Sequence, residues 1–311
     1  MDTRPLGRSG LQIAPLVFGA NVFGWTVKDQ PTASQLLDRF VDSGLNAIDT
    51  ADVYSRWVPG NKGGESETAI GNWLKASGKR DRVVLITKVG IADGLSAKSI
   101  AAGVEASLKR LQTDRIDLYL SHKPDPNTPI EETLRAHDAL VKAGKVRAIG
   151  SSNYSAEGLR EALDTSAREM LHRYEVEQPE YNLCERKRFE GPLRDLCIKE
   201  GLGVIVYYSL ASGFLSGKYR SKADLKKSVR GGGVEKYLNE KGLRILAALD
   251  NVAAAHDAKP AEVALAWLIA QRGVTAPIAS ATSIEQVDSL ARAAKLRLSA
   301  VEIQSLAAAS D

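Results

Sequence analysis

Short apolar runs rich in Val, Ile and Leu alternate along the chain with longer stretches in which apolar positions return every three or four residues. Runs apolar on both faces are the pattern of strands buried in a parallel sheet, and the longer period is that of amphipathic helices covering it. The runs predict strands over 16–19, 46–49, 83–88, 116–121, 148–151, 175–178, 204–207 and 275–277. Helices are predicted over 32–43, 65–76, 96–111, 129–143, 155–167, 189–200, 242–256 and 260–272. Gly44, Gly144 and Gly201 stand where helices end, and Ser96, Ser155 and Pro260 where they begin. Ahead of the first strand, arms 4–6 and 12–14 flank Gly7-Arg8-Ser9-Gly10 and predict a small hairpin able to plug the floor of a barrel.

Eight strands alternating with helices fit a closed (β/α)8 TIM barrel with an N-terminal β-hairpin, and 311 residues suit one such domain spanning 1–311. A doubly wound open sheet alternates in the same way. That fold holds dinucleotides on a Gly-x-Gly-x-x-Gly turn after its first strand, which this chain lacks, so the barrel is preferred. Two long connections, 55–64 and 209–241, interrupt the rhythm and are candidates for functional loops.

Composition adds exclusions. A net charge of +4, with Lys and Arg scattered among acidic residues, gives no stripe for nucleic acid or a membrane surface. The opening MDTRPLGRSG has no signal-peptide pattern and no apolar stretch is long enough to span a bilayer, so a cytoplasmic protein is expected. Cys184 and Cys197 are read as reduced thiols, and no His or Cys spacing suggests a metal.

Three predicted strands finish in an ionisable side chain: Asp49, Lys88 and, just past Ser121, His122. Tyr54 follows Asp49 by five residues. In a barrel these ends converge on the C-terminal face, where active sites are built. A phenol with a pKa of about 10 is a poor proton exchanger near neutrality, and a cation at about 4 Å would favour its phenolate by on the order of 4 kcal/mol at an effective dielectric of about 20. Lys88 is the expected cation, Asp49 the anion that keeps it charged, and His122 a hydrogen-bonding group for a substrate carbonyl. Any one of these residues alone reads as an ordinary strand-end group; four on one rim read as a site.

The run Asn46-Ala47-Ile48-Asp49-Thr50-Ala51-Asp52-Val53-Tyr54 resembles the signature of the aldo-keto reductases, and Asp49, Tyr54, Lys88 and His122 match that family's catalytic tetrad. The resemblance implies Tyr54 as general acid in reduction and general base in oxidation, with NADP(H) as cofactor and NAD(H) as an alternative. It further implies that Ser152, Asn153 and Gln178 hold the nicotinamide carboxamide and that Tyr207 stacks on its ring. The segment 207–219 resembles the loop of the branch that includes potassium-channel β subunits and bacterial sugar-active reductases. By that likeness Ser209, Leu210, Ser212, Gly213, Leu215, Gly217 and Lys218 contact the pyrophosphate. Segment 213–218 is one residue short of a Walker A loop, with Tyr219 where Ser or Thr is required. Ser280, Thr282, Ser283 and Gln286 match the segment that receives the adenosine 2′-phosphate, although Thr282 replaces a common Arg or Lys and Leu290 a common Asn or Glu.

Trp25 and Trp57 are expected to wall the substrate site, with Phe23 a weaker candidate, whereas Trp73 and Trp267 belong to helices. No long C-terminal extension follows 298–309, so the pocket is expected to be open. The expected function is reduction of an aldehyde or ketone, sugar-derived carbonyls among them. The alternatives are the reverse aldose or alcohol dehydrogenase reaction and a cofactor-sensing subunit. Small-molecule carbonyl or sugar substrates are expected, and monomer and homo-oligomer are left open.

Overall fold

The computed structural model describes residues 1–311. Strands β1 (Arg4–Pro5) and β2 (Gln12–Ile13) pair antiparallel. Eight parallel strands follow: β3 (Val17–Gly19), β4 (Ala47–Asp49), β5 (Val84–Val89), β6 (Ile116–Ser121), β7 (Val146–Ser152), β8 (Tyr174–Gln178), β9 (Gly203–Val206) and β10 (Ala276–Ala279). They pair in sequence, and β10 returns to β3, closing the barrel. Helices α1 (Gln30–Asp42), α2 (Glu65–Ser77), α3 (Ala97–Leu111), α4 (Ile130–Lys142), α5 (Ala156–Arg168) and α6 (Pro192–Glu200) link successive strands. Between β9 and β10 lie α7 (Glu240–Ala255) and α8 (Pro260–Ile269); α9 (Ile284–Lys295) and α10 (Ala300–Ala309) complete the chain. No helix is long and apolar enough to cross a membrane.

Local chemistry explains where pattern and structure part by a few residues. Asp29 accepts a hydrogen bond from Thr32 N and Pro31 sits in the first turn, so α1 starts two residues before the periodicity does. Helix α6 starts later than expected, because Gly191 is at φ +92° and Pro192 opens the first turn. The long connection 209–241 is a string of short 3₁₀ turns ending where Asn239 caps α7.

Two apolar layers hold the barrel. Outward-facing Phe18, Ile48, Leu85, Val89 and Val204 pack on the helices. Inward-facing Val17, Ala47, Ile86, Leu120, Val176, Ile205 and Ile278 join Leu6, Leu11 and Ile13 of the hairpin in a separate cluster of 14 buried residues. The hairpin thus plugs one end, as its position ahead of the first strand suggested. Because side chains alternate along a strand, two residues beyond the last inward apolar position the next inward side chain reaches the opposite rim. Ala47 leads to Asp49, Ile86 to Lys88, Leu120 to His122, Val176 to Gln178 and Ile205 to Tyr207. The same register that fills the core places the polar groups.

The plug is held by close backbone approach. A Cβ on Gly203 would stand 2.7 Å from Gly7 N and 2.8 Å from Leu6 Cδ1. Gly203→Ala is therefore expected to push the hairpin off the floor and to cost about 1–3 kcal/mol, read as a lowered thermal midpoint with the site chemistry intact. An unchanged midpoint would show that the hairpin contributes little.

Candidate active site

Lys88 is completely buried, and its ammonium makes three hydrogen bonds: to Asp49 Oδ1 at 2.6 Å, to the Thr50 carbonyl at 2.7 Å and to the Tyr54 hydroxyl oxygen at 3.0 Å. Tyr54 lies within 3.4 Å of the same Asp49 oxygen, to which its hydroxyl donates. The other oxygen, Oδ2, accepts from Gln178 Nε2 at 2.9 Å, so β4, β5 and β8 are tied across the barrel mouth. His122 stands edge-on to the Tyr54 ring, centroids 6.0 Å apart, and its buried Nδ1 has no partner. All four residues expected from the strand ends come together.

Their electrostatics differ from the expectation in one respect. Burial, with Asp49 second, holds the Tyr54 phenol well above its ordinary pKa, so the neighbouring ammonium does not produce a phenolate. Burial likewise pulls Lys88 down, against the opposing pull of Asp49. The resting site thus carries a protonated phenol already hydrogen-bonded to a buried ion pair. Burial, followed by the charges of Lys88 and Lys123, pushes His122 to about 2, leaving a neutral imidazole with one N–H to donate.

These residues form one end of a cleft of about 1160 Å³ that runs toward the start of α9. Asp49, Tyr54 and His122 line it, with Ser152, Asn153, Gln178, Tyr207, Ser209, Leu210, Ser212, Gly213, Lys218, Ser280, Thr282, Gln286 and Trp57. Lys88 lies beneath the surface. Besides Lys88, five residues expected at the cleft do not line it. Leu215 is buried in the core, Gly217 at φ +80° ends a 3₁₀ turn, and Ser283 caps α9 by accepting from Gln286 N. Trp25 stands behind Trp57, centroids 5.6 Å apart at 89°, as a buttress instead of a wall. Phe23 is fully buried.

Several observations fit an extended dinucleotide. Asn153, Tyr208, Ala211 and Ser212 all hold positive φ beside the cleft, a backbone strain that clusters where a ligand is clamped. Gly213 takes φ +95°, where a Cβ would sit in ordinary contact with Lys218 Cε at 3.8 Å, so the left-handed backbone and not crowding favours glycine there. Ser152 and Asn153 are fixed in place, Ser152 Oγ donating to the Gln178 carbonyl at 2.8 Å and Asn153 Nδ2 to the His122 carbonyl at 3.0 Å. Tyr207 OH donates to Asn153 Oδ1 at 2.6 Å, which sets its ring at the wall. At the far end Gln286 Oε1 accepts from Thr282 N at 2.8 Å, closing the turn ahead of α9.

The sequence did not single out Asn21, Lys123, Tyr208, Arg230 or Ser289, which also line the cleft. Arg230 comes from the long connection and stacks its guanidinium over the Trp25 ring, 4.9 Å from the centroid. No local pattern signals it; only the path of the loop does. No group of three His, Cys, Asp or Glu side chains is placed to hold a metal ion. Cys184 and Cys197 are free thiols, both pushed up by burial.

Comparison with known proteins agrees with this geometry. The chain is 36% identical over 314 residues to an uncharacterized oxidoreductase, YrpG, of Bacillus subtilis (strain 168), covering 96% of this chain and 92% of that protein. It is 35% identical to a probable voltage-gated potassium channel subunit beta of Oryza sativa subsp. japonica and 34% identical to one of Arabidopsis thaliana, each match covering 92% of this chain and 89% of the relative. The model of the Aldo/keto reductase family matches residues 15–311, so with its closed barrel and its Asp–Tyr–Lys–His rim the chain belongs to the aldo/keto reductase family.

Proposed function

We propose that the protein is an NADP(H)-dependent oxidoreductase reducing an aldehyde or ketone, sugar-derived carbonyls included, to the alcohol. The observation that carries this reading is the Tyr54 hydroxyl, hydrogen-bonded to Lys88 and Asp49 at the floor of a long cleft and beside the His122 ring. In this reading the substrate oxygen rests between Tyr54 OH and a His122 N–H. When bound, the nicotinamide supplies hydride to the carbonyl carbon. Tyr54 gives its proton to the oxygen, and Lys88, kept charged by Asp49, stabilises the phenolate left behind. In the reverse, dehydrogenase direction the phenolate takes the proton back.

Ser152, Asn153 and Gln178 would hold the carboxamide and Tyr207 the ring face, with Lys218 and the loop 209–217 at the pyrophosphate. Ser280, Thr282, Ser283 and Gln286 at the start of α9 would receive the 2′-phosphate, where helix N–H groups favour an anion. NAD(H) is the alternative because Thr282 brings no charge. A small-molecule substrate and a cytoplasmic setting go with this reading.

The test is calorimetric binding of NADPH and NADH together with turnover of an aldehyde, ketone and sugar panel. Tighter NADPH binding and carbonyl-dependent oxidation of the nucleotide are expected. Bound nucleotide with no turnover of any carbonyl sinks the reductase reading. It would favour the second one, a nucleotide-sensing subunit, for which the names of the two plant relatives speak.

A further inference from the structure

Strand β7 shifts register against β8 at Ile149/Gly150, and beyond that irregularity Ser151 stands beside Glu177 and Ser152 beside Gln178. Because side chains alternate along a strand, a Gln178 turned into the barrel mouth sends Glu177 to the outer face, toward the helices. There Glu177 is completely buried, with Tyr154, Tyr174 and Cys197 among its titratable neighbours. No cation pairs with it, and burial pushes its carboxyl up to about 8. A carboxyl is costly in such a layer unless its oxygens are used, so what they hold gives the residue its meaning.

They hold the backbone that follows β7. Oε1 accepts from the Tyr154 N–H at 3.2 Å and Oε2 from the Ser151 hydroxyl, and the Asn153 N–H is drawn to the same carboxyl. Asn153, between the two anchored residues, sits at φ +64°, a left-handed conformation that persists only where its surroundings impose it. In that conformation its side chain joins three strand ends: Nδ2 donates to the His122 carbonyl at 3.0 Å and Oδ1 accepts from Tyr207 OH at 2.6 Å. Ser152 and Asn153 line the cleft; Glu177 does not. The carboxyl grips from outside the barrel a turn whose inner side is the cleft wall.

We propose that Glu177 is a positioning residue, whose buried carboxyl holds the 151–154 turn in the shape that lets Ser152 and Asn153 bind the nicotinamide half of the dinucleotide. It acts through the turn and touches neither ligand nor substrate. The proposal rests on the assignment of Ser152 and Asn153 to the carboxamide.

The test is calorimetry on the whole protein with NADP⁺ and with adenosine 2′,5′-bisphosphate, which carries the adenosine half and no nicotinamide. E177L removes both acceptor oxygens and should weaken NADP⁺ binding by about tenfold or more, the usual result of leaving a buried N–H unpaired, while the bisphosphate binds as before. E177D keeps a carboxyl but withdraws it by one methylene from the Tyr154 N–H, and should lose NADP⁺ affinity in the same selective way. E177Q keeps an oxygen for that N–H, offers its NH₂ to the Ser151 hydroxyl oxygen, and should restore NADP⁺ binding. Equal losses for both ligands in E177L would make Glu177 a support of the barrel at large and overturn the proposal. So would NADP⁺ affinity unchanged in E177L, or lost in E177Q as fully as in E177L. Should E177L fail to fold, the ratio of the two affinities in E177D decides in its place. A parent protein that binds NADP⁺ no more tightly than the bisphosphate removes the carboxamide assignment, and this proposal with it; a parent preference that survives in E177L removes Glu177 alone.

Discussion

Tyr54→Phe should lower kcat for carbonyl reduction by about 10²- to 10⁴-fold, the usual worth of a positioned general acid, with nucleotide affinity nearly unchanged. The variant removes one oxygen and keeps the ring, so the contacts with Trp57 and His122 survive. Lys88 keeps Asp49 and the Thr50 carbonyl as acceptors. A fall in kcat at little-changed KM would mark a group acting in the transition state. The direction of reaction adds a second reading. Burial and Asp49 hold the phenol protonated well above its ordinary range in the resting protein, so reduction should vary little with pH through neutrality. Oxidation needs the phenolate, and its rate should climb with pH, a slope absent from the variant. A kcat within about threefold of the parent, far short of the loss expected for a general acid, would place the acid elsewhere.

How much of this was legible beforehand follows from what each signal encodes. Asp49, Lys88 and His122 were readable because each continues the two-residue alternation of a buried strand, so one register decides both core and rim. The hairpin was readable from its turn residues, and its plugging role follows from Leu6, Leu11 and Ile13. Trp25 and Trp57 lie in loops, where no periodicity fixes direction; one lines the cleft and the other supports it. Arg230 was illegible for the same reason. The phenol acidity departs from the Coulomb figure because that figure stands before the burial of the phenol and the charge of Asp49 beside it are deducted.

Lys88→Met should separate stability from catalysis when combined with Asp49→Asn. Alone, it leaves Asp49, 1% exposed, with only neutral donors, Gln178 Nε2 and Tyr54 OH. Stranding one partner of a buried ion pair costs about 3–5 kcal/mol, seen as a shifted denaturant midpoint at unchanged slope. In the double variant the amide that replaces the Asp49 carboxylate carries no charge, so much of that loss should return, the coupling of the cycle measuring the pair. Turnover should not return, because no ammonium remains to stabilise a Tyr54 phenolate. Asp49→Asn alone should behave differently, since the stranded lysine can escape by losing its proton. Burial already pulls Lys88 down, and without Asp49 it falls further. The unfolded state then binds more protons than the native one, so the stability of this variant should rise with pH through the native pKa toward the ordinary lysine value. A double variant no more stable than Lys88→Met would mean that the lysine serves through its packing and not its charge. Full turnover in that double variant would remove the ion pair from the mechanism altogether.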